Sequence, residues 1–431
     1  MSPAQLVARI FPALGAGAAD PTDVVTADEA HNGRMFRFEA PFTNLAFSVG
    51  NFYALFAIQL GASNTLVGWL SSGPALISLL WVLPAGRLIQ RSKNFLRPML
   101  SGALGHRAQV MLLALIPFLP ADWRAPALVA LATIGSIPAT LWGLSFHSIA
   151  AEVFTPKHRA LFVGQRWAIA NVSGVVVMFA LGWLLDLIRF PLNFQVMFLG
   201  APLVALTTLV LIARLRLPPR PPQAFSTTKR HFSLRAARAQ IARHRSFIWF
   251  EVGVLLGYAA MFFAAPLFRI YWVRDLQAAG SWVGALTATY SIGAVLGNLI
   301  WGRLSAPQSD RRLGLITAAG VMIVYPLLSA LARSLWPLVA ITILCGFFAG
   351  GNDLLIFNRV VRQTPRAERP AFIGVHNVVV NVAGFVTPLL STALIDWVGA
   401  RPTLLIAGGL GVIGAGAMFL LGWGKMYEGE Q

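Results

Sequence analysis

Cysteine occurs once in 431 residues, as Cys345, so neither a disulfide framework nor a thiolate metal site can be built. Charge is sparse too: 12% of residues are Asp, Glu, Lys or Arg, about half the share of a soluble chain. Acid is the scarcer sign, 16 Asp and Glu against 34 Lys and Arg. On a soluble protein that excess would point to nucleic acid. Here the basic residues are scattered between apolar runs, so membrane topology explains them and no nucleic-acid partner is expected. A hydrolase elbow, a phosphate loop and a metal-binding His pair are all missing, which argues against an enzyme and calls for no cofactor and no metal. Gly409-Leu410-Gly411-Val412-Ile413-Gly414 matches a dinucleotide fingerprint as text only, because no strand precedes it and no acid follows at the required distance. Ala407, Gly411 and Ala415 at four-residue spacing read instead as a close-packing helix face.

What the chain has in abundance is apolar surface: 57% of residues are hydrophobic and the mean hydropathy is +0.68. Apolar segments run over 41–61, 65–84, 98–119, 126–151, 160–188 and 192–213, then 246–268, 282–301, 313–333, 337–358, 371–395 and 402–423. Each is long enough to cross a bilayer as a helix, which makes twelve spans. Residues 214–245 separate the two sixes with nine Lys and Arg, no acid, and the breakers Pro218, Pro219, Pro221 and Pro222.

A cytosolic N-terminus would place 27 basic residues inside and six outside (Arg124, Arg189, Arg269, Arg274, Arg333, Arg401), with Arg107 within a span. That asymmetry favours both termini inside, in a multi-pass plasma membrane of the bacterial inner-membrane kind. The expected organisation is a cytosolic tail over 1–37, a six-helix bundle over 38–213, a basic cytosolic linker over 214–245, a second bundle over 246–424 and a short cytosolic tail over 425–431. Within the first tail Leu6, Ile10 and Leu14 share a helical face, which allows an interfacial helix or an unstructured leader; His231 to Arg245 likewise reads as an amphipathic helix or a solvated linker.

The halves repeat. Phe38-Glu39 matches Phe250-Glu251 at an offset of 212, and Val67-Gly68-x-Leu70 matches Val283-Gly284-x-Leu286 at 216. Gly86-Arg87-Leu88 recurs as Gly302-Arg303-Leu304, Asn171-Val172-x-Gly174 as Asn381-Val382-x-Gly384, and Leu184-x-Asp186 as Leu394-x-Asp396. Ordered matches with a slowly drifting offset mark an internal repeat, and six spans per copy make the copies parallel. The fold class is therefore all-α integral membrane, twelve transmembrane helices as two parallel six-helix repeats.

With its six-plus-six repeat, its basic middle loop and the run Gly86-Arg87-Leu88-Ile89-Gln90-Arg91, the chain resembles the major facilitator superfamily over residues 38–424. That run is similar to the family's signature of glycine, three residues, aspartate and arginine, with Gln90 where the acid belongs. The resemblance implies a cytoplasmic gate at Gly86, Arg87 and Arg91 and at their counterparts Gly302 and Arg303, with charge pairing weakened or supplied elsewhere. On the residues alone both loops also read as positive-inside arginines beside a helix-packing glycine. Subfamily signatures are missing, so no substrate follows from the resemblance.

Ionisable groups inside spans are costly and usually face a cavity or a partner. Asp353 follows Gly350, Gly351 and Asn352, a permissive stretch where the helix could loosen. It reads as a proton-coupling carboxylate or as one half of a fixed pair with Arg359. Glu251 and His147 are the other coupling candidates, His147 competing with a packing role. Glu39 and Glu251, at repeat-equivalent helix starts, suit gate partners for Arg159 and Arg369, or carboxylates steadied by helix dipoles. Arg166 and His376 correspond at an offset of 210 and would flank a cavity symmetrically, as an anionic solute requires, unless they snorkel to the interface. Asn51, Tyr53, Asn171, Tyr258, Tyr290, Asn352, Asn377 and Asn381 supply neutral substrate contacts or bundle glue.

The reading is a secondary active transporter, monomeric in lipid, moving a small solute, an organic anion or zwitterion, by alternating access coupled to protons. The alternative is a transporter-shaped membrane protein that binds or assembles a partner without moving solute.

Overall fold

The computed structural model describes residues 25–92, 94–217, 244–305, 310–363 and 369–422. The Leu6 to Leu14 face, most of the basic linker and the whole C-terminal tail lie outside them. All regular structure among the described residues is helical.

Span one is α1 (Ala27–Ser48), a 3-10 turn (Val49–Phe52) and α2 (Tyr53–Gln59). Span two is α3 (Asn64–Arg91), and span three is α4 (Leu96–Leu112) with a 3-10 end (Leu113–Phe118). Span four joins α5 (Ala121–Ile134) to α6 (Ser136–Val153), span five is α7 (Pro156–Leu187), and span six joins α8 (Leu192–Ala205) to α9 (Thr207–Ala213). In the second half, span seven is α10 (Arg245–Ile270) ending in a π turn (Tyr271–Asp275), and span eight is α11 (Gly280–Leu304). Span nine is α12 (Asp310–Ala319), a π turn (Gly320–Val324) and α13 (Tyr325–Leu331). Spans ten, eleven and twelve are α14 (Leu335–Gln363), α15 (Arg369–Val398) and α16 (Ala400–Ala417), the last ending in a π turn (Met418–Gly422).

Among the described residues eleven helical segments are long and apolar enough to cross a membrane. The twelfth, span one, falls short as a single segment because its 3-10 turn divides it and because α1 opens with polar turns. That opening extends the helix back into the stretch read as a tail. Thr26 and Glu29 form a reciprocal capping box, and Asn32 exchanges two hydrogen bonds with the backbone of Arg216, 2.9 and 2.8 Å. The start of span one is thereby clamped to the end of span six.

Small residues set the closest helix contacts. Gly293 and Gly297 of α11 lie against the carbonyls of Ile343 and Phe347, while Gly346 and Gly350 of α14 lie against those of Tyr290 and Ala294. Any Cβ at these positions would run into backbone, which is the small-residue logic of membrane helix pairs. The same contacts correct the expectation that Gly350 and Gly351 loosen the helix: α14 runs unbroken through both, and Gly351 makes room for Trp301. In α16, Gly411 faces the Met322 carbonyl and Ala407 and Ala415 are buried, so that stripe does pack against span nine.

The apolar core locates the function. At the end away from the termini one cluster runs across both halves, from Val49, Phe56 and Leu185 to Phe263, Leu286 and Leu404. At the end carrying the termini the core splits in two. Phe36, Phe146 and Phe162 belong to a cluster of the first half, and Phe247, Phe372 and Met418 to one of the second.

Candidate functional site

Where the shared core gives way to the divided one, a cavity of about 450 Å³ lies between the halves. Spans one and five line it with Asn44, Ser48, Asn51, Asn171, Gly174 and Met178; span seven adds Phe262, Phe268, Arg269 and Trp272; span eight adds Thr287, Tyr290 and Ser291. Val321, Tyr325 and Cys345 complete the wall. Of the residues proposed from sequence as substrate contacts, Asn51, Asn171 and Tyr290 are brought together here.

The broken span one shapes this wall. Its 3-10 turn carries Asn51, whose side chain donates to the Ser48 carbonyl at 3.2 Å and whose own carbonyl accepts from Arg269 Nη1 at 2.6 Å. Arg269 had been counted in an outer connection from sequence. It lies one residue inside the end of α10, on the cavity wall.

Interhalf bonds gather at the closed end. Asp186, at the end of α7, accepts from the Gly280 and Ser281 N–H groups at 2.8 and 3.0 Å, where α11 begins. Asp396, near the end of α15, accepts from Asn64 Nδ2 at 2.6 Å, where α3 begins. Arg274 reaches the Ala62 carbonyl. Gly68 lies against Thr392 and Pro388, and Gly284 against Met178 and Gly182. The two carboxylate ties are repeat-equivalent and each sets an acid at the start of a helix in the other half, Asp186 on backbone N–H groups that lack helical partners and Asp396 on the side chain of the first helical residue, Asn64. The Leu-x-Asp repeat carried this signal in the sequence, and no role had been given to it.

The remaining candidates lie elsewhere. Arg166 and Glu39 form a pair inside the first half, Nε to Oε1 2.6 Å, each 2% exposed, with the guanidinium 4.3 Å from the Phe146 ring centre. Thr43 donates to the second Glu39 oxygen at 2.5 Å, and Arg107, fully buried, donates to Thr43 and Thr208. Glu39 therefore pairs with Arg166 and not with Arg159, which donates to the Ala151 and Phe154 carbonyls at the end of α6. In the second half Glu251 meets His376 Nδ1 at 3.2 Å. The Arg369 side chain lies outside the description. Tyr53 packs within the first half, 6.1 Å from the Phe198 ring.

Tyr258 stacks on Phe262 of the cavity wall at 5.6 Å and sits where the charges of both Asp353 and Glu251 act on it. Asp353 is exposed and makes no ion pair among the described residues, Arg359 included. Its neighbour Asn352 is 1% exposed with neither side-chain polar atom hydrogen-bonded. His147 is exposed beside Phe146, Asn377 is exposed, and Asn381 Nδ2 donates to the Asn377 carbonyl at 2.7 Å. At the gate loops Arg87, Arg91 and Arg303 are exposed and make no ion pair among the described residues. A Cβ added at Gly86 would meet nothing within 4 Å, and one added at Gly302 would meet the Leu354 side chain at 3.6 Å.

The described residues include no group of His, Cys, Asp or Glu that could hold a metal ion. What the cavity offers is reversible binding: one cation, neutral amides and hydroxyls, and aromatic walls.

Solved structures resemble this arrangement over nearly its whole length. A bacterial homologue of the human lysosomal transporter Spinster, inward-facing and unoccupied, is 14% identical with a TM-score of 0.68 over 92% of this chain and 97% of that one. The nucleoside transporter NupG is 10% identical with a TM-score of 0.72 over 90% and 99%. A POT family transporter in complex with a thioalcohol-conjugated peptide is 14% identical with a TM-score of 0.68 over 89% and 94%. At such identities the likeness is one of fold. No curated protein sequence matches the chain. The family model described as Major Facilitator Superfamily matches residues 42–271 and again 252–426, once for each half. The chain belongs to the major facilitator superfamily.

Proposed function

We propose that this chain is a secondary active transporter that carries a small organic solute through the central cavity by alternating access. The observation that carries the reading is the core itself, continuous across the halves at one end and split at the other with the cavity at the fork. Rocking the halves about the cavity would open the sealed end and close the divided one. The end bearing the termini is taken as cytosolic, on the 27 to six distribution of basic residues, so this conformation opens inward. The fold relatives named as a nucleoside transporter and as a POT family transporter in complex with a conjugated peptide support a small organic solute in this reading.

The energy source in this reading is a proton gradient acting through Asp353. An exposed carboxylate that forms no ion pair among the described residues is placed to take up a proton while the cavity faces the cytosol. Closing that side removes it from water, a step the neutral acid undergoes far more easily than the charged one. Glu251, paired with His376, and Tyr258, whose ring lies 6.5 Å from that of His376, are the relay groups in this reading.

Reconstitution into proteoliposomes tests this. A panel of small organic solutes should accumulate under an imposed pH gradient, and Asp353→Asn should retain exchange but lose accumulation. Gradient-driven accumulation at the wild-type level in Asp353→Asn would move the coupling role to Glu251.

A further inference from the structure

We propose that Arg269 anchors the negative group of an organic monoanion in the central cavity, an inference that rests on the transport reading and names its substrate class. The guanidinium stands on the cavity wall near the closed end, 2.6 Å from the Asn51 carbonyl and 5.8 Å from the centre of the Trp272 ring. No Asp or Glu lines the cavity, and none pairs with Arg269 among the described residues.

That isolation distinguishes it from the other deep cations of the chain. Arg166 is neutralised by Glu39, and Arg107 is folded against Thr43 and Thr208 in the same network. A charge at this depth is costly without a counter-charge. A guanidinium has five N–H donors in a planar fork matched to carboxylate, phosphate and sulfonate oxygens, and the Asn51 carbonyl occupies one of them. A bound anion supplies the missing counter-charge.

The remaining wall limits the rest of the molecule. Phe262, Tyr290 and Tyr325 offer aromatic faces and Asn171 a neutral amide, with no second cation for a second negative group. The class is therefore an organic monoanion whose body meets aromatic faces beside neutral amides and hydroxyls. The bond from Arg269 to Asn51 also joins the halves, span seven to span one. An anion on the same guanidinium therefore acts directly on a contact between the halves.

The test is a binding titration of the purified protein, read by intrinsic tryptophan fluorescence. Probes are phenylacetate, its neutral amide and phenethylamine, with monoanions from acetate to naphthoate and benzenesulfonate completing the panel. The best anion should bind at least about tenfold more tightly than its neutral amide. Arg269→Gln should abolish that preference and Arg269→Lys should keep part of it. The wild-type comparison needs no variant, so it stands even if Arg269→Gln fails to fold. Equal binding of amide or amine, a preference unchanged in Arg269→Gln, or no binding by any anion of the panel would overturn the proposal. Anion preference without flux in proteoliposomes would remove the transport reading and leave the anchor standing. Flux of neutral or cationic solutes without anion preference would do the reverse.

Discussion

Glu39 accepts a 2.6 Å hydrogen bond from Arg166 in the interior of the first half, and the repeat reproduces the pair as Glu251 with His376 at 3.2 Å. The substitution of imidazole for guanidinium matters. A guanidinium brings five N–H donors in a planar fork to the carboxylate, while an imidazole brings one ring nitrogen at a time. The first-half pair is held by Arg166 together with the Thr43 hydroxyl. Its second-half copy rests on the single contact from His376 Nδ1.

Removing one member of the buried pair leaves a bare charge. Arg166→Ala should lower stability by about 3–5 kcal/mol, whereas Arg166→Met combined with Glu39→Gln should recover most of it. Thermal melting in detergent measures both, and a double variant no better than the single one would show that the pair is not the cause.

Asp186 and Asp396 tie opposite halves together at the closed end. At about 1 kcal/mol for each carboxylate at a helix start, removing both as Asp186→Asn and Asp396→Asn should shift the equilibrium toward opening of that end by roughly thirtyfold. Paired spin labels across the closed end read the distance distribution. An unchanged distribution would mean that the apolar core alone holds the seal.

Glu29 lies in the first turn of α1, ahead of the apolar stretch of span one, and anchors that helix to the loop between spans four and five. Burial alone would push its carboxyl up, but the Thr155 and Thr26 N–H groups, with His158 and the Thr155 hydroxyl, hold it at about 2 against the usual 4.5. A lowered folded-state value means that the contribution is complete above pH 4.5 and is lost as the pH falls toward 2. Glu29→Gln should cost about 1–3 kcal/mol at neutral pH and flatten the acid limb of a plot of Tm against pH between those values. Parallel profiles for variant and wild type would contradict this.

Gly346 has no room for a side chain beside the Tyr290 carbonyl. Gly346→Val should separate spans eight and ten and cost about 1–3 kcal/mol, seen as a lower Tm and a smaller monodisperse fraction in detergent. Wild-type behaviour of that variant would place the close approach elsewhere.

Much of the fold was legible because bilayer length and the repeat are written in residue type and spacing. The helical start at Ala27 was legible in principle, since Thr26-Ala27-Asp28-Glu29 spells a capping box, but the surrounding polarity read as a tail. The site was harder. Arg166 and Arg269 are both arginines near span ends, and nothing in their sequence neighbourhoods tells which meets an acid and which meets a cavity. Pairing is decided by helix rotation, which places Glu39 under Arg166 and leaves Arg269 facing the gap. The Val-Gly-x-Leu and Leu-x-Asp repeats marked the seam between the halves, but their meaning depended on spans two and eleven, and five and eight, being neighbours.

For solute to cross, the halves must part at the closed end. Cysteines at Asn64 and Asp396, whose side chains touch at 2.6 Å, should cross-link span two to span eleven in a Cys345→Ser background. In proteoliposomes oxidation should stop gradient-driven uptake of the transported solute and a reductant should restore it. Uptake by the fully cross-linked protein at the rate of the reduced one would contradict alternating access in this chain.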